Sequence, residues 1–378
     1  MFGIFPFEIW DLITEHHNRL KFKLRLLNSY FLNGIIIDDL TYFYDLDDEK
    51  LEILYSPNKY WQLKKLRLSW NNKISYFMLR KMNLSYLEGL DYDIPNVSWM
   101  TNLKVLRSKC IRNEGIANLM LEELDIHDNE YITDISWMHT LKTLNISITS
   151  SYPANYDIIG DNEIRGLKLI KLNAYFNQQI EDVSSITSLR SLNIGMTQVR
   201  DNGIRGLTLL KLKAFRSYIT DVSWMTSLRS LDISGTKVKD NGIRGLNLTT
   251  LNISDNRYIT DISWMTTLKK LYIRDSSSIG DNGIIGLSLE FLDVSRNKNI
   301  TDLTHLTTLK RLIMEGSNGG VRDNGILGLN LTYLNIIHNR NITKVSWMTS
   351  LTKLSFWASG VTEWRGQRRR QANEEKRY

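Results

Sequence analysis

Leucine recurs along most of this chain in an L-x-x-L-x-(I/L/V) pattern, and this repeat constrains the fold more than any other feature. The second leucine and the following apolar residue alternate with outward-facing positions, which predicts a short β-strand in each copy. A strand this short cannot bury its apolar face alone, so neighbouring copies must stack into a parallel sheet. The leading leucines are Leu63, Leu84, Leu103, Leu121, Leu141, Leu169, Leu189, Leu209, Leu228, Leu248, Leu268, Leu289, Leu309, Leu331 and Leu351.

The spacing of these copies indicates one stacked array rather than several globular domains. Nearly every step is 18 to 22 residues, and the one exception, 28 residues between Leu141 and Leu169, indicates a loop insertion around Pro153. Two copy types alternate: S-W-M-T-S-L-R-S-L-D-I-S-G-T-K-V begins at Ser223, and D-N-G-I-R-G-L-N-L-T-T-L-N-I-S-D-N begins at Asp240. The short return path between strands predicts turns and 3₁₀ pieces with few full helices.

Two polar elements of the repeat have a structural interpretation. D-N-G-I recurs at four sites, with D-N-E-I at Asp161, and its repetition favours turn chemistry over a single active site. A buried asparagine shortly after each strand can bond to backbone groups that the turn leaves unpaired. These asparagines are Asn129, Asn177, Asn256, Asn297 and Asn339, with Thr236 or Ser276 at the corresponding position of the other copy type.

The pattern L-x-x-L-x-L-x-x-N-x-L, over roughly residues 63 to 361, resembles the leucine-rich repeat superfamily. Its segment I-T-D-I-S-W-M-T-T-L is similar to the short repeats of internalins and phosphatase regulators. The resemblance implies an α/β solenoid: a right-handed superhelix with a parallel β-sheet on its concave face. The near-identical duplications and the Asn/Ile-rich composition also resemble repeat families of large DNA viruses and some protists.

The N-terminal segment does not fit the repeat, and the domain prediction separates it. We expect a helical segment at 1–45, a linker or first cap at 46–62, the array of about 15 repeats at 63–361, and a basic polar tail at 362–378. The start F-P-F-E-I-W-D-L-I, followed by a leucine-rich stretch, resembles an F-box. The matching positions are Phe5, Pro6, Glu8, Ile9, Ile13, Leu24, Leu26, Leu27 and Phe31.

An F-box resemblance implies that this segment inserts into the Skp-type adaptor of a cullin ubiquitin ligase, with Pro6, Ile9 and Leu27 at the contact. The sequence departs from the F-box pattern at Leu27-Asn28, where Val-Cys is usual, and at Phe5, where Leu is usual. The alternative is an amphipathic cap that covers the first strand of the solenoid and needs similar apolar residues.

The sequence contains no convincing catalytic, metal or cofactor site. A lone cysteine, Cys110, excludes a disulfide framework and indicates a buried structural thiol. The six histidines are scattered without chelating spacing, and D-N-G-I-R-G-L lacks the Lys-Ser/Thr of a phosphate loop. We therefore predict a protein that is not an enzyme and needs no cofactor or metal.

Two sets of side chains recur at equivalent positions of successive repeats, and each set is called a file below. Tryptophans at Trp99, Trp137, Trp224, Trp264 and Trp347 form either an aromatic ligand platform or, as we favour, packing between coils. Cations follow the first leucine at Lys104, Lys142, Arg190, Arg229, Lys269 and Lys310. Aspartates at the I-T-D position recur equally often, so we interpret the two charged files as duplication of a balanced unit, although an acidic partner is conceivable.

Partner specificity should lie in exposed strand positions, which differ between copies. The candidate partner-binding residues on the predicted concave face are Tyr175, Phe215, Tyr272, Arg274, Glu315 and Trp357. We therefore predict a non-catalytic interaction adaptor: an F-box-type substrate receptor whose repeats bind the target protein. The alternative is a stand-alone recognition or scaffold protein whose first helices only cap the solenoid.

The charge pattern and hydropathy set expectations for partners and location. The net charge of +7 is dispersed along the repeats and tail, so we expect no nucleic-acid partner. The sequence has neither a signal-peptide pattern nor a membrane-length apolar run, so we expect an intracellular, membrane-free protein. It would be cytoplasmic, with the nucleus as an option, and inside the host cell if the protein is viral.

Overall fold

The computed structural model describes residues 39–41, 46–49, 51, 63–68, 74–89, 93–149, 159–275, 277–317 and 319–362. The F-box-like residues 5–31, the insertion around Pro153 and nearly all of the basic tail lie outside these ranges. The chain divides into two compact units, Met1–Gln179 and Ile180–Tyr378, which are treated separately below.

In the described part of the first unit, seven short strands pair in parallel and in chain order. They are β1 Asp39–Leu40, β2 Lys65–Arg67, β3 Tyr86–Glu88, β4 Val105–Arg107, β5 Glu123–Asp125, β6 Thr143–Asn145 and β7 Lys171–Asn173. Helices Tyr76–Leu79 and Asp161–Ile164 and the 3₁₀ turn Asn113–Gly115 lie between strands. The sheet starts earlier than the predicted array, because β1 falls inside the predicted N-terminal segment 1–45.

Nine further parallel strands, again paired in chain order, form the described part of the second unit. They are β8 Ser191–Asn193, β9 Lys211–Lys213, β10 Ser230–Asp232, β11 Thr250–Asn252, β12 Lys270–Tyr272, β13 Phe291–Asp293, β14 Arg311–Ile313, β15 Tyr333–Asn335 and β16 Lys353–Ser355. The return paths contain the 3₁₀ helices Asp201–Ile204, Asp240–Ile243, Asp281–Ile284 and Asp323–Ile326. The predicted parallel solenoid with 3₁₀ return segments is therefore confirmed.

The core consists of aliphatic side chains stacked strand upon strand. Leu231 of β10 faces Leu251 of β11 in register, and both are essentially inaccessible to solvent. The leading leucine and the residue after the strand are buried as well, as at Leu248 and Ile253. Each buried leucine or isoleucine contributes about 1.5–3 kcal/mol relative to exposure, so this ladder supplies the main stabilisation.

The D-N-G-I element forms a 3₁₀ turn, as its repetition predicted, and it also joins neighbouring coils. The Asp281 carboxylate accepts hydrogen bonds from the Thr301 amide at 2.7 Å and the Thr301 hydroxyl at 2.6 Å. Glycine is required at the third position because a Cβ on Gly283 would lie 2.3 Å from the Thr260 carbonyl oxygen. The element thus packs backbone against backbone, and the aspartate secures the next coil.

The buried asparagines form a second set of links, again as predicted. Asn256 is fully buried, and its Nδ2 donates to the Val238 carbonyl of the preceding coil at 3.0 Å. Its Oδ1 accepts from the amides of Tyr258 at 2.8 Å and Ile259 at 3.0 Å. One side chain therefore satisfies three backbone groups that the turn leaves without strand partners.

Neither a membrane span nor a metal centre is found in the described ranges. Their helices are too short or too polar to cross a bilayer. Within the same ranges, no three His, Cys, Asp or Glu side chains are grouped so that they could hold a metal ion.

Candidate functional site: the exposed face of the sheet

Each three-residue strand from β2 to β15 buries its central leucine and points its first and third residues away from the core, whereas Leu354 of β16 is half-buried. The third residue is commonly Asn or Asp, and its Oδ1 accepts the amide two residues further on. Asn252 accepts from Ser254 at 3.1 Å, and Asp232 accepts from Ser234 at 3.1 Å. These bonds fix the chain direction after each strand, so the outward side chains form ordered rows.

Tyr175 is the one predicted partner-binding residue that falls in the first unit. It is half-buried, and its ring lies 6.4 Å from that of Phe176 in a tilted arrangement. The other five predicted residues belong to the second unit.

Aromatic and cationic side chains are interleaved on the second unit's face. The guanidinium of Arg216 lies 5.1 Å from the Phe215 ring centre, and the Tyr272 and Phe291 rings are 4.9 Å apart. Phe291 is not among the predicted partner-binding residues, all of which lie at the end of a strand or beyond it. The first strand residue also faces outward, and strand alternation by itself could have identified it.

Arg274 lies beside a carboxylate that the structure buries. Its Nε is 3.6 Å from Oδ2 of Asp293, and Asp293 is only 4% exposed. Asp293 is the third residue of β13, a position that strand alternation alone predicts to be exposed, and this prediction is wrong. Burial raises the pKa of Asp293, and the hydrogen bonds from Ser295 and the charge of Arg274 only partly oppose this.

Glu315 and Trp357 complete the predicted set. Glu315 accepts a hydrogen bond from the side-chain amide of Asn335, so its carboxylate is held in place. Trp357 is 71% exposed, and the His338 ring lies edge-on to it with 4.6 Å between ring centres. A tryptophan this exposed offers a large apolar surface to a partner.

The first unit carries a charged network on the same strand positions that the sequence analysis did not single out. Arg107 pairs with Glu123 at 2.7 Å and with Glu88 at 3.4 Å, and Arg67 also pairs with Glu88 at 2.9 Å. Tyr86 donates a hydrogen bond to Glu88. Burial of Tyr86, this hydrogen bond and the charge of Glu88 together raise the pKa of Tyr86 to about 12.

A second polar cluster lies one strand further along in the same unit. Asp125 accepts hydrogen bonds from Nδ2 of Asn145 at 2.9 Å and from the His127 amide at 3.2 Å, and it contacts Nδ1 of His127 at 2.8 Å. Burial disfavours ionisation of Asp125, but the hydrogen bonds from His127 and Asn145 outweigh it and lower the pKa. These contacts tie neighbouring strands together and leave the carboxylate engaged.

The tryptophan file supports the packing interpretation. Trp224 and Trp264 are half-buried, and the guanidinium groups of Arg205 and Arg244 lie 5.0 and 4.9 Å from the respective ring centres. The indole nitrogens of both rings are buried. Each ring therefore packs between coils with an arginine over it, which leaves little open platform for a ligand.

Cys110 is half-buried, not fully buried as the sequence predicted. Its pKa is raised, chiefly by burial and then by the carboxylates of Asp93 and Glu130. Reactive cysteines need the opposite shift, since the thiolate is the nucleophile.

Comparison with known proteins agrees with this geometry. Residues 225–246 and 246–262 match a family model described as Leucine Rich repeat. These two segments of the array therefore resemble leucine-rich repeats. No curated protein sequence gives a significant match to the chain.

Solved structures of leucine-rich repeat type resemble the fold. TLR13 in complex with ssRNA13 aligns with a TM-score of 0.50 at 17% identity, over 90% of this chain and 60% of that one. An internalin from Listeria monocytogenes aligns at 21% identity and a TM-score of 0.41, over 90% of this chain and 94% of that one. A Leptospira interrogans leucine-rich repeat protein aligns at 17% identity and a TM-score of 0.46, over 92% of this chain and 95% of that one. At these identities the likeness concerns the fold alone.

Proposed function

We propose that this chain is a leucine-rich repeat protein and a non-catalytic recognition module that binds a protein partner through the exposed face of its sheet. The observation that carries the proposal is the large outward side chain of Trp357, which is 71% exposed at the end of an ordered row. Tyr272 ends β12 of the same unit, and Arg274 follows two residues later. Trp, Tyr and Arg dominate the energetics of protein interfaces when a partner covers them.

The proposal is tested by comparing sheet-face variants with matched variants elsewhere. The intact chain serves as bait, a captured partner is purified, and its affinity is measured for Trp357→Ala and Tyr272→Ala. Each change should weaken binding by roughly tenfold or more, as truncation of a central interface aromatic does. Trp137→Ala and Tyr258→Ala are the controls, since both side chains are exposed but lie at least six residues from a strand, whereas Trp357 lies two residues after β16. Equal losses in the controls, or none in the sheet-face variants, would refute the proposal.

In its finer form, the proposal makes the N-terminal segment an F-box that docks on a Skp-type adaptor, with the repeats presenting a target for ubiquitination. It rests on the F-P-x-E-I start ahead of the array. A binding assay with a purified Skp-type adaptor tests it, since Pro6→Ala combined with Ile9→Ala should abolish binding. No binding by the unaltered chain would contradict it. This role also places the protein inside the cell.

The stand-alone scaffold remains the second candidate, and truncation separates the two. The deletion should remove residues 1–38 and spare β1, because Asp39 and Leu40 pair with β2. If the segment is a cap, its removal exposes the apolar side chains at the first strand of the sheet and lowers the melting temperature. If it is a separate F-box, the array keeps its stability and loses only adaptor binding.

A further inference from the structure

A strip of cations runs along the amino-terminal ends of the strands in the second unit. It occupies the two outward positions between the paired leucines of each repeat, and all of its members are exposed. This basic strip consists of Arg190, Lys211, Arg229, Lys269, Lys270, Lys310, Arg311 and Lys353. At the same positions of the second unit the one acidic residue is Glu290.

Among the described residues, no ion pair engages a side chain of the strip. The ion pairs of the second unit's described residues involve other arginines, such as Arg216, Arg257 and Arg296. Arg190 and Arg229 each donate a hydrogen bond to the carbonyl of the preceding leucine at 2.8 Å. Such bonds orient a guanidinium and leave its charge uncompensated.

The aspartates that balance these cations in the sequence have another role in the fold. Asp221 accepts the Ser223 amide at 2.8 Å, and Asp261 accepts the Ser263 amide at 2.9 Å. Asp302 likewise accepts the Thr304 amide at 2.8 Å. In the sequence alone, the cations and the I-T-D aspartates balance each other in charge. The carboxylates instead hold turns together, and the cations face solvent without them.

The spacing of the strip fits an extended chain. Strands stack about 4.8 Å apart, so cations on every second strand, as on β12, β14 and β16, recur about every 10 Å. An extended segment in the polyproline II conformation rises about 3.1 Å per residue and has three residues per turn, so acidic residues at every third position share one face and recur about every 9 Å, close to the period of the strip.

The aromatic residues within the strip favour a protein ligand over nucleic acid. Arg311 lies 5.8 Å from the Phe291 ring centre and 5.0 Å from that of Tyr333, and Lys353 lies 5.5 Å from Tyr333. Tyr272 packs against Phe291 as well. Single-stranded nucleic acid needs open aromatic faces for its bases. These rings instead position the guanidinium group of Arg311, whose planar set of N–H donors suits bidentate binding of a carboxylate.

We propose that the basic strip binds an extended acidic segment of a protein partner. The inference rests on the proposed recognition function and specifies the chemistry of the partner that the second unit accepts. It assigns the strip a role distinct from that of the half-buried Tyr272 and the exposed Trp357.

A peptide-binding assay with the full chain tests the proposal. The probe is a fluorescent peptide of about six Asp-Ser-Gly repeats, which has an acidic residue at every third position, and the reference peptide carries Asn in place of Asp. The strip variant combines Lys270→Gln, Arg311→Gln and Lys353→Gln. The control variant combines Lys237→Gln, Lys239→Gln and Lys298→Gln, which removes as many exposed charges from outside the strip. Circular dichroism checks that both variants fold.

We expect the strip variant to lose at least about tenfold in affinity for the acidic peptide and the control variant less than about threefold. The Asn peptide should not bind, and added salt should weaken binding of the acidic peptide, as it does for solvent-exposed charges. Equal losses in both variants would overturn the proposal, as would tighter binding of a single-stranded oligonucleotide of equal charge. If a captured partner is lost by Trp357→Ala and retained by the strip variant, the recognition function stands and this inference fails.

Discussion

Replacing Asn256 with alanine removes the amide that links two coils of the second unit, and its effect can be worked out from the structure. The change leaves the Val238 carbonyl and the Ile259 amide without their side-chain partner. Both of these residues are fully buried, so water cannot readily take its place. The Tyr258 amide also loses a bond, but its residue is 44% exposed and the group can be hydrated.

The expected cost follows from these two buried groups. An unsatisfied buried backbone group costs about 1–3 kcal/mol, so Asn256→Ala should lower the free energy of unfolding by about 2–6 kcal/mol. Thr236→Val is an intermediate case, since the Thr236 hydroxyl donates one bond, at 2.7 Å to the Ile233 carbonyl. It should cost about 1 kcal/mol. Asn247 is exposed, so Asn247→Ala should change the free energy of unfolding by no more than about 0.5 kcal/mol.

Urea unfolding measures the global effect, and amide hydrogen exchange measures the local one. Repeat arrays can open in parts, so exchange at Ile259 is the sharper readout. Its protection should fall in Asn256→Ala and be unchanged in Asn247→Ala. The reasoning is refuted if the two variants have the same stability and the same protection at Ile259.

Other parts of the structure give three further predictions. Burial raises the pKa of Asp293, so Asp293→Asn should raise the melting temperature at pH 7. The gain should vanish once the pH falls below the pKa that the carboxyl group has in the unfolded chain, and no gain at pH 7 would contradict this. Gly283→Ala brings a Cβ within 2.3 Å of the Thr260 carbonyl oxygen and should lower stability by about 1–3 kcal/mol in urea unfolding. Glu88→Gln should lower the pKa of Tyr86 from about 12, yet this pKa should stay above that of an ordinary tyrosine because the ring remains buried. NMR titration of the ring carbons measures the pKa in both proteins.

The sequence by itself determined the architecture of the array. A leucine period of about 20 residues allows one economical way to bury every leucine, which is to stack short strands in parallel and in register. The roles of Asn256 and of the D-N-G-I element also followed, because a recurring polar residue at a turn has backbone groups to satisfy. Identical copies impose identical contacts, so a local pattern was enough.

Tertiary structure decided what lies on the face of the sheet. The sequence pattern placed Asp293 in the solvent, but side chains from neighbouring strands cover it to 4% exposure. It also balanced the cations against the I-T-D aspartates, whereas Asp302 accepts the Thr304 amide within its own turn, and no ion pair of the described residues involves Lys310. Alternation along one strand fixes only the direction in which a side chain points. Its burial, its ionisation and its availability to a partner depend on residues about 20 positions away, which the fold brings within about 4.8 Å.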